Sequence, residues 1–225
     1  MSTALSVSAL VVNTNTGRVY IGGTFTVAGT VLANNIAQWD GSVWSPLGSG
    51  ISGQVNALAL DESGNLYAGG VFTSVGGVST TNIAKWDGSM WSPLGSGISG
   101  RVNALAMDEL GNLYTGGVFT SAGGVSATNI AKWSGSEWLA LGSGVNDSVY
   151  ALAADGLGNL FAGGRFTVAG GLSASKIAKW SGSEWSALGS GISDPFLCRG
   201  SIGRVNGYEL AGVGQERGLQ KALGQ

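Results

Sequence analysis

The stretch NIAKWDGSMWSPLGSG (residues 82–97) carries two tryptophans, Trp86 and Trp91, on either side of an Asp-Gly-Ser turn. The pattern stands again as NIAQWDGSVWSPLGSG (35–50), NIAKWSGSEWLALGSG (129–144) and KIAKWSGSEWSALGSG (176–191). The first tryptophan falls at 39, 86, 133 and 180 and the second at 44, 91, 138 and 185, every step being 47 residues. These eight are all the tryptophans in the chain, and residues 54–100 and 101–147 are identical at 34 of 47 positions. The chain is therefore a repeat array, and the period decides the fold. Four units run over residues 7–53, 54–100, 101–147 and 148–194, so that 1–194 forms the repeat region and 195–225 a non-repeat tail.

Each unit reads as four short strands. VNALALD (55–61) alternates, which predicts Val55, Ala57 and Ala59 on one face and Asn56, Leu58 and Leu60 on the other. Its small residues suit a crowded inner strand. A turn through Gly64 leads into NLYAGGVFT (65–73), where Gly69 and Gly70 leave room for a close neighbour. A loop of about eight residues follows, then NIAKW (82–86), the Asp-Gly-Ser turn, and MWSPL (90–94). Pro93, like Pro46, has no N–H for a ladder and marks an edge strand. Four antiparallel strands in 40–50 residues, repeated, predict an all-β propeller with four blades. A parallel β-helix needs a shorter rung, and helical repeats need a 3.6-residue period that is absent.

LYAGG (66–70) followed by IAKWDGSMWSPL (83–94) resembles the kelch motif, with tryptophan where kelch repeats usually carry tyrosine and with a shorter hairpin between the aromatics. The pattern is also similar to Gly-rich propeller repeats of bacterial surface proteins. The resemblance covers residues 7–194 and implies blade architecture; kelch-type propellers include enzymes, adaptors and surface proteins, so it implies no single activity. A tryptophan buries roughly 150–250 Å², on the order of 4–6 kcal/mol gross at about 25 cal/mol per Å². A lone four-stranded sheet cannot hide two of them, so the pair is read as packing between neighbouring blades ahead of sugar-stacking.

Composition removes several function classes. There is no histidine, which excludes a Ser-His-Asp triad and imidazole metal sites. The copper site of galactose oxidase, an enzyme that shares kelch-type blades, cannot be assembled. The single Cys198 offers no thiolate cluster or Cys-His dyad. Asp61, Asp108 and Asp155 recur before a Gly-Asn turn and are read as turn acceptors. Asp40 and Asp87 open the hairpin turns where Ser134 and Ser181 replace them, again turn chemistry. No calcium loop or phosphate loop is present. Catalytic residues, metal and cofactor are accordingly expected to be none, and the chain is not read as an enzyme. A net charge of −2 with no basic run gives no footprint for nucleic acid. No apolar run is long enough for membrane insertion as a helix.

The connection between strands two and three and the blade-to-blade connection should share one face. Their sequences, TSVGGVSTTN (73–82) and GSGISG (95–100), are uncharged and rich in Gly, Ser, Thr and Asn. Asn35, Asn82 and Asn129 recur there, with Lys176 in the fourth unit, and are the binding candidates on the loop face, set against the plainer reading that these loops are only soluble connectors. Two functions compete: a non-catalytic scaffold or binding module within a larger extracellular or surface protein, and a lectin-like propeller with one weak glycan site per blade. The expected partner is a protein or a glycan. Four blades close alone, belong to a longer array, or pair as a homodimer forming an eight-bladed ring. An extracellular or cell-surface location rests on the resemblance alone, since MSTALSVSALVV lacks the pattern of a signal peptide. In the tail, GRVNGYELAGVG (203–214) echoes GRVNALAMDELG (100–111). A degenerate fifth repeat, a disordered end and a frame-shifted end are all open.

Overall fold

A computed structural model describes residues 5–192 and, as backbone, the strands Gly203–Val205 and Tyr208–Leu210. The described residues are all-β. In blade 2, Gln54–Leu60, Leu66–Val71, Ile83–Trp86 and Trp91–Pro93 form one antiparallel sheet in sequential order. Blade 1 starts at Ser6–Val12, blade 3 at Arg101–Met107 and blade 4 at Val149–Ala154, each with the same strand order. Consecutive first strands pack on one another, so these are the inner strands. The proline-bearing strands Trp44–Pro46 and Trp91–Pro93 lie at sheet edges, where a missing N–H costs no ladder bond.

The inner strand departs from strict alternation. A bulge between Val55 and Ala57 recurs at Val7/Ala9, Val102/Ala104 and Val149/Ala151. The extra residue, Asn56 in blade 2, moves Val55 to the face that carries Leu58 and Leu60. That face packs on blade 1, while Ala57 and Ala59 pack on blade 3. The expected grouping of Val55 with the two alanines is therefore corrected. The consequence is a lock between sheets. A Cβ added at Gly69 of blade 2 would lie 2.5 Å from Cγ1 of Val102 in blade 3, so the valine fills the space the glycine leaves. Val55 sits on Gly22 and Val149 on Gly116 in the same way. Gly70 serves a different need: a Cβ there would run into the Gln54 carbonyl of its own sheet.

The tryptophans close the outer part of each seam. Within a blade the two rings lie 5.4–5.5 Å apart, tilted by 50–55°. The indole N–H of Trp91 donates to the Leu47 carbonyl in the segment leaving blade 1, at 3.0 Å. Trp138 repeats the bond to Leu94 and Trp185 to Leu141. Large apolar side chains and one directional bond thus join each of these blades to the one before it.

The expected eight-residue loop contains structure. Ser74–Val75 pairs with Val78–Ser79 across Gly76–Gly77, both at positive φ, and every blade has this small hairpin. In the tail, Gly203–Val205 pairs antiparallel with Tyr208–Leu210. The rest of the tail, including Cys198, lies outside the described residues, as do the readings placed on it.

Candidate functional site on the loop face

The linker between blades and the small hairpin meet on one face. Ile51, in the linker, bridges to Val75 in the hairpin of blade 2, and Ile98 and Val145 bridge to Ala122 and Ala169 in blades 3 and 4. Ser52 strengthens the junction by accepting the N–H groups of Thr73 and Ser74. Ser99 does the same for Thr120 and Ser121, and Asn146 for Thr167 and Val168. These straps were not singled out in the sequence, although a Ser or Asn at a fixed place in every linker was a readable signal.

Asn35, Asn82 and Asn129 stand at the junction but turn inward. All three adopt a left-handed backbone, with φ of 62–63°, which asparagine tolerates better than other residues with a Cβ. The Asn82 Oδ1 accepts the Phe72 N–H at 2.9 Å, and its Nδ2 donates to the carbonyls of Ile98 and Gly100. Asn129 joins Phe119 to Val145, and Asn35 joins Phe25 to Ile51. Asn82 and Asn129 are buried and Asn35 half-buried. Each amide spends both ends on backbone, tying its own blade to the linker that crosses to the next. Lys176 takes the same left-handed conformation in blade 4, at φ 64°.

An open groove of about 340 Å³ lies at the junction of blades 1 and 2. Asn34, the candidate Asn35, Ser49, Ser52 and Ser74 line it together with Gly50, Ile51 and Gly77. Asn34 is exposed and donates through Nδ2 to the Ser49 carbonyl. The small hairpins of this face also show aliphatic side chains to solvent: Val27 and Leu32 in blade 1, Val78 in blade 2, Val125 in blade 3 and Leu172 in blade 4. Between blades 1 and 2 the face combines uncharged hydrogen-bonding groups with exposed aliphatic side chains, whereas the linker from blade 3 to blade 4 carries the exposed Asp147 near Arg165.

The repeated carboxylates lie elsewhere and serve turns. Asp61 accepts the backbone N–H and the side-chain amide of Asn65, and also the Tyr67 hydroxyl. Asp108 and Asp155 make the same pair of bonds with Asn112 and Asn159. Burial first, and then the Asp61 charge, pushes the Tyr67 hydroxyl up to about 12. The Val43 N–H, followed by Ser42, holds Asp40 below the ordinary carboxylate value; Met90 and Ser89 do so for Asp87. Ser134 and Ser181 accept from the Glu137 and Glu184 N–H groups in the corresponding turns. Lys85 and Lys132 lie over the rings of Tyr67 and Tyr114 at 5.7 Å, and Lys179 lies over Phe161 at 6.0 Å. They do not form a basic patch. Among the described residues no group of three or more His, Cys, Asp or Glu is placed to hold a metal ion. No helix among them is long and apolar enough to cross a membrane.

The model of the Rax2 C-terminal beta propeller domain family matches residues 1–148, more than half of the chain, and the chain belongs to that family. No curated protein matches it.

Proposed function

We propose that this Rax2-type propeller is a non-catalytic binding module, part of a larger extracellular or surface protein, that engages an extended segment of a partner protein across its loop face. The observation that carries this reading is the series of exposed aliphatic residues in successive hairpins, Leu32, Val78, Val125 and Leu172, on the face that holds the polar, uncharged groove between blades 1 and 2. An extended peptide uses both kinds of surface, hydrogen bonds for its backbone and apolar contacts for alternate side chains. The lectin-like alternative loses its best support. Tryptophans that would stack on sugars are packed between blades, with Trp86, Trp91, Trp138, Trp180 and Trp185 buried. The binding surface is therefore assigned to Asn34, Ser49, Ser52 and the hairpin tips. Asn82 and Asn129 support it from beneath, and the half-buried Asn35 both supports and lines the groove.

The test is a selection from a displayed peptide library on the full chain, with a glycan array in parallel. Selected peptides should lose at least tenfold in affinity on the triple variant Val78→Asp, Val125→Asp, Leu172→Asp, while the array stays silent. Glycan binding that survives the triple variant, or peptides indifferent to it, would refute the assignment.

A further inference from the structure

Among the described residues, blade 1 leaves open the face that the other three blades bury. Val55, Val102 and Val149, which fill the glycine spaces of the preceding blade, are 0 % exposed, whereas the equivalent Val7 is 55 % exposed. Leu105 and Leu152 are buried and Leu58 is half-buried, but their counterpart Leu10 is 61 % exposed. Val12 extends the same exposed row. Trp44 is only half-buried, and its indole N–H makes no hydrogen bond among the described residues. The equivalent N–H groups of Trp91, Trp138 and Trp185 all donate to the preceding blade.

The other end of the array carries the matching half. Ala57 and Ala59, Tyr67, Ile83 and Leu94 are buried by blade 3. Their counterparts in blade 4 are Ala151 and Ala153, Phe161, Ile177 and Leu188, all only half-buried. The Leu188 carbonyl stands where Leu47, Leu94 and Leu141 receive an indole. Among the described residues it accepts only the Gly191 N–H. One chain thus presents a donor without an acceptor at one end and an acceptor with spare capacity at the other, each within a matching apolar surface.

We propose that two copies of this chain associate through these ends, blade 4 of each seated on blade 1 of the other, to close an eight-bladed ring. The contact continues a seam the molecule already makes three times: Val7 fills the glycine position of blade 4, Leu10 covers its alanine strand, and Trp44 donates to Leu188. Two copies use both of these surfaces at once, which gives a closed two-fold assembly of the described blades. Eight blades lie within the range in which propellers close. The association is independent of what the loop face binds.

The mass of the full chain in solution, measured by sedimentation equilibrium over a concentration series, tests this. The expected result is two chains of 22.5 kDa with no larger species. Leu10→Glu should weaken the association at least tenfold and leave the far-ultraviolet spectrum unchanged, and the milder Val7→Ser should act in the same direction. Leu110→Glu, at an exposed turn away from the seam, should leave the mass unchanged. A single-chain mass at every concentration, a ladder of masses beyond two chains, or a two-chain mass that both Leu10→Glu and Val7→Ser leave intact would each overturn the proposal.

Discussion

Gly69→Ala tests the lock between blades most directly. Gly69 does not adopt a left-handed backbone, so alanine meets no conformational penalty there and the cost comes from space alone. The new methyl would lie 2.5 Å from Cγ1, 3.2 Å from Cβ of Val102 and 3.4 Å from Cδ1 of Leu105. Comfortable carbon–carbon contact is about 3.5–4.0 Å, so roughly 1 Å must open between two sheets. Rotating Val102 gives little relief, because its Cβ is itself too close and a β-branched side chain is stiff at χ1. Overpacking of this kind costs about 1–3 kcal/mol, and the geometry points to the upper end. Val102→Ala alone removes two buried methyl groups and leaves a cavity, a loss of about 2–3 kcal/mol. In the double variant the methyl added at position 69 occupies the vacated space, so the total should fall to about 2 kcal/mol rather than about 5. Urea unfolding followed by tryptophan fluorescence measures all four corners of the cycle. Additive single effects, agreeing within about 0.5 kcal/mol, would refute the lock. Gly77→Ala is the contrasting case: open space, φ of 82°, and an expected cost of about 1–2 kcal/mol from backbone strain.

Four further outcomes are expected. Trp91→Phe should lose about 1 kcal/mol through its bond to Leu47, and Trp44→Phe almost nothing in the single chain; paired denaturation curves compare them. Asn82→Ala should cost about 2–4 kcal/mol, because it orphans the Phe72 N–H and puts alanine in a left-handed conformation, and calorimetry would read this as a lower Tm. Thr115 buries a hydroxyl without a hydrogen-bond partner at a register where blades 2 and 4 carry Ala68 and Ala162, so Thr115→Ala should raise stability by about 1 kcal/mol in the same urea assay. Tyr67 ionises at about 12 when folded against an ordinary value of 10, so its unfolded form loses the proton first. The stability it contributes is complete below pH 10 and is lost as pH rises from 10 towards 12; Tyr67→Phe should flatten that part of the stability–pH curve.

Periodicity made the architecture legible. A 47-residue step in tryptophan, two prolines in outer strands and Gly-rich turns were enough for blade number, strand order and the edge strands. The bulge at Asn56 was not legible, because an inserted residue leaves the sequence looking perfectly alternating while the backbone shifts one side chain to the other face. The hairpin around Gly76–Gly77 was missed because strands of two residues are too short for any pattern, although a Gly-Gly pair between valines is a turn signal. Asn35, Asn82 and Asn129 were found by recurrence, but recurrence did not say which way they point. Their left-handed backbone turns the amides inward, and the choice of asparagine for such a backbone was the available clue.

Because neighbouring repeats are so alike, a folding chain meets several near-equivalent partners for each blade. The seam of Val102 on Gly69 is chemically the seam of Val149 on Gly116, so a newly made blade recognises more than one partner in the same polypeptide. Contact energy alone does not rank the adjacent copy above a distant one. Proximity along the chain does: the short stretch from Leu94 to Gly100 delivers the following sheet to its correct neighbour before a skipped pairing can form, and synthesis from the amino terminus enforces the order. Connector length is thus a kinetic proofreader of topology.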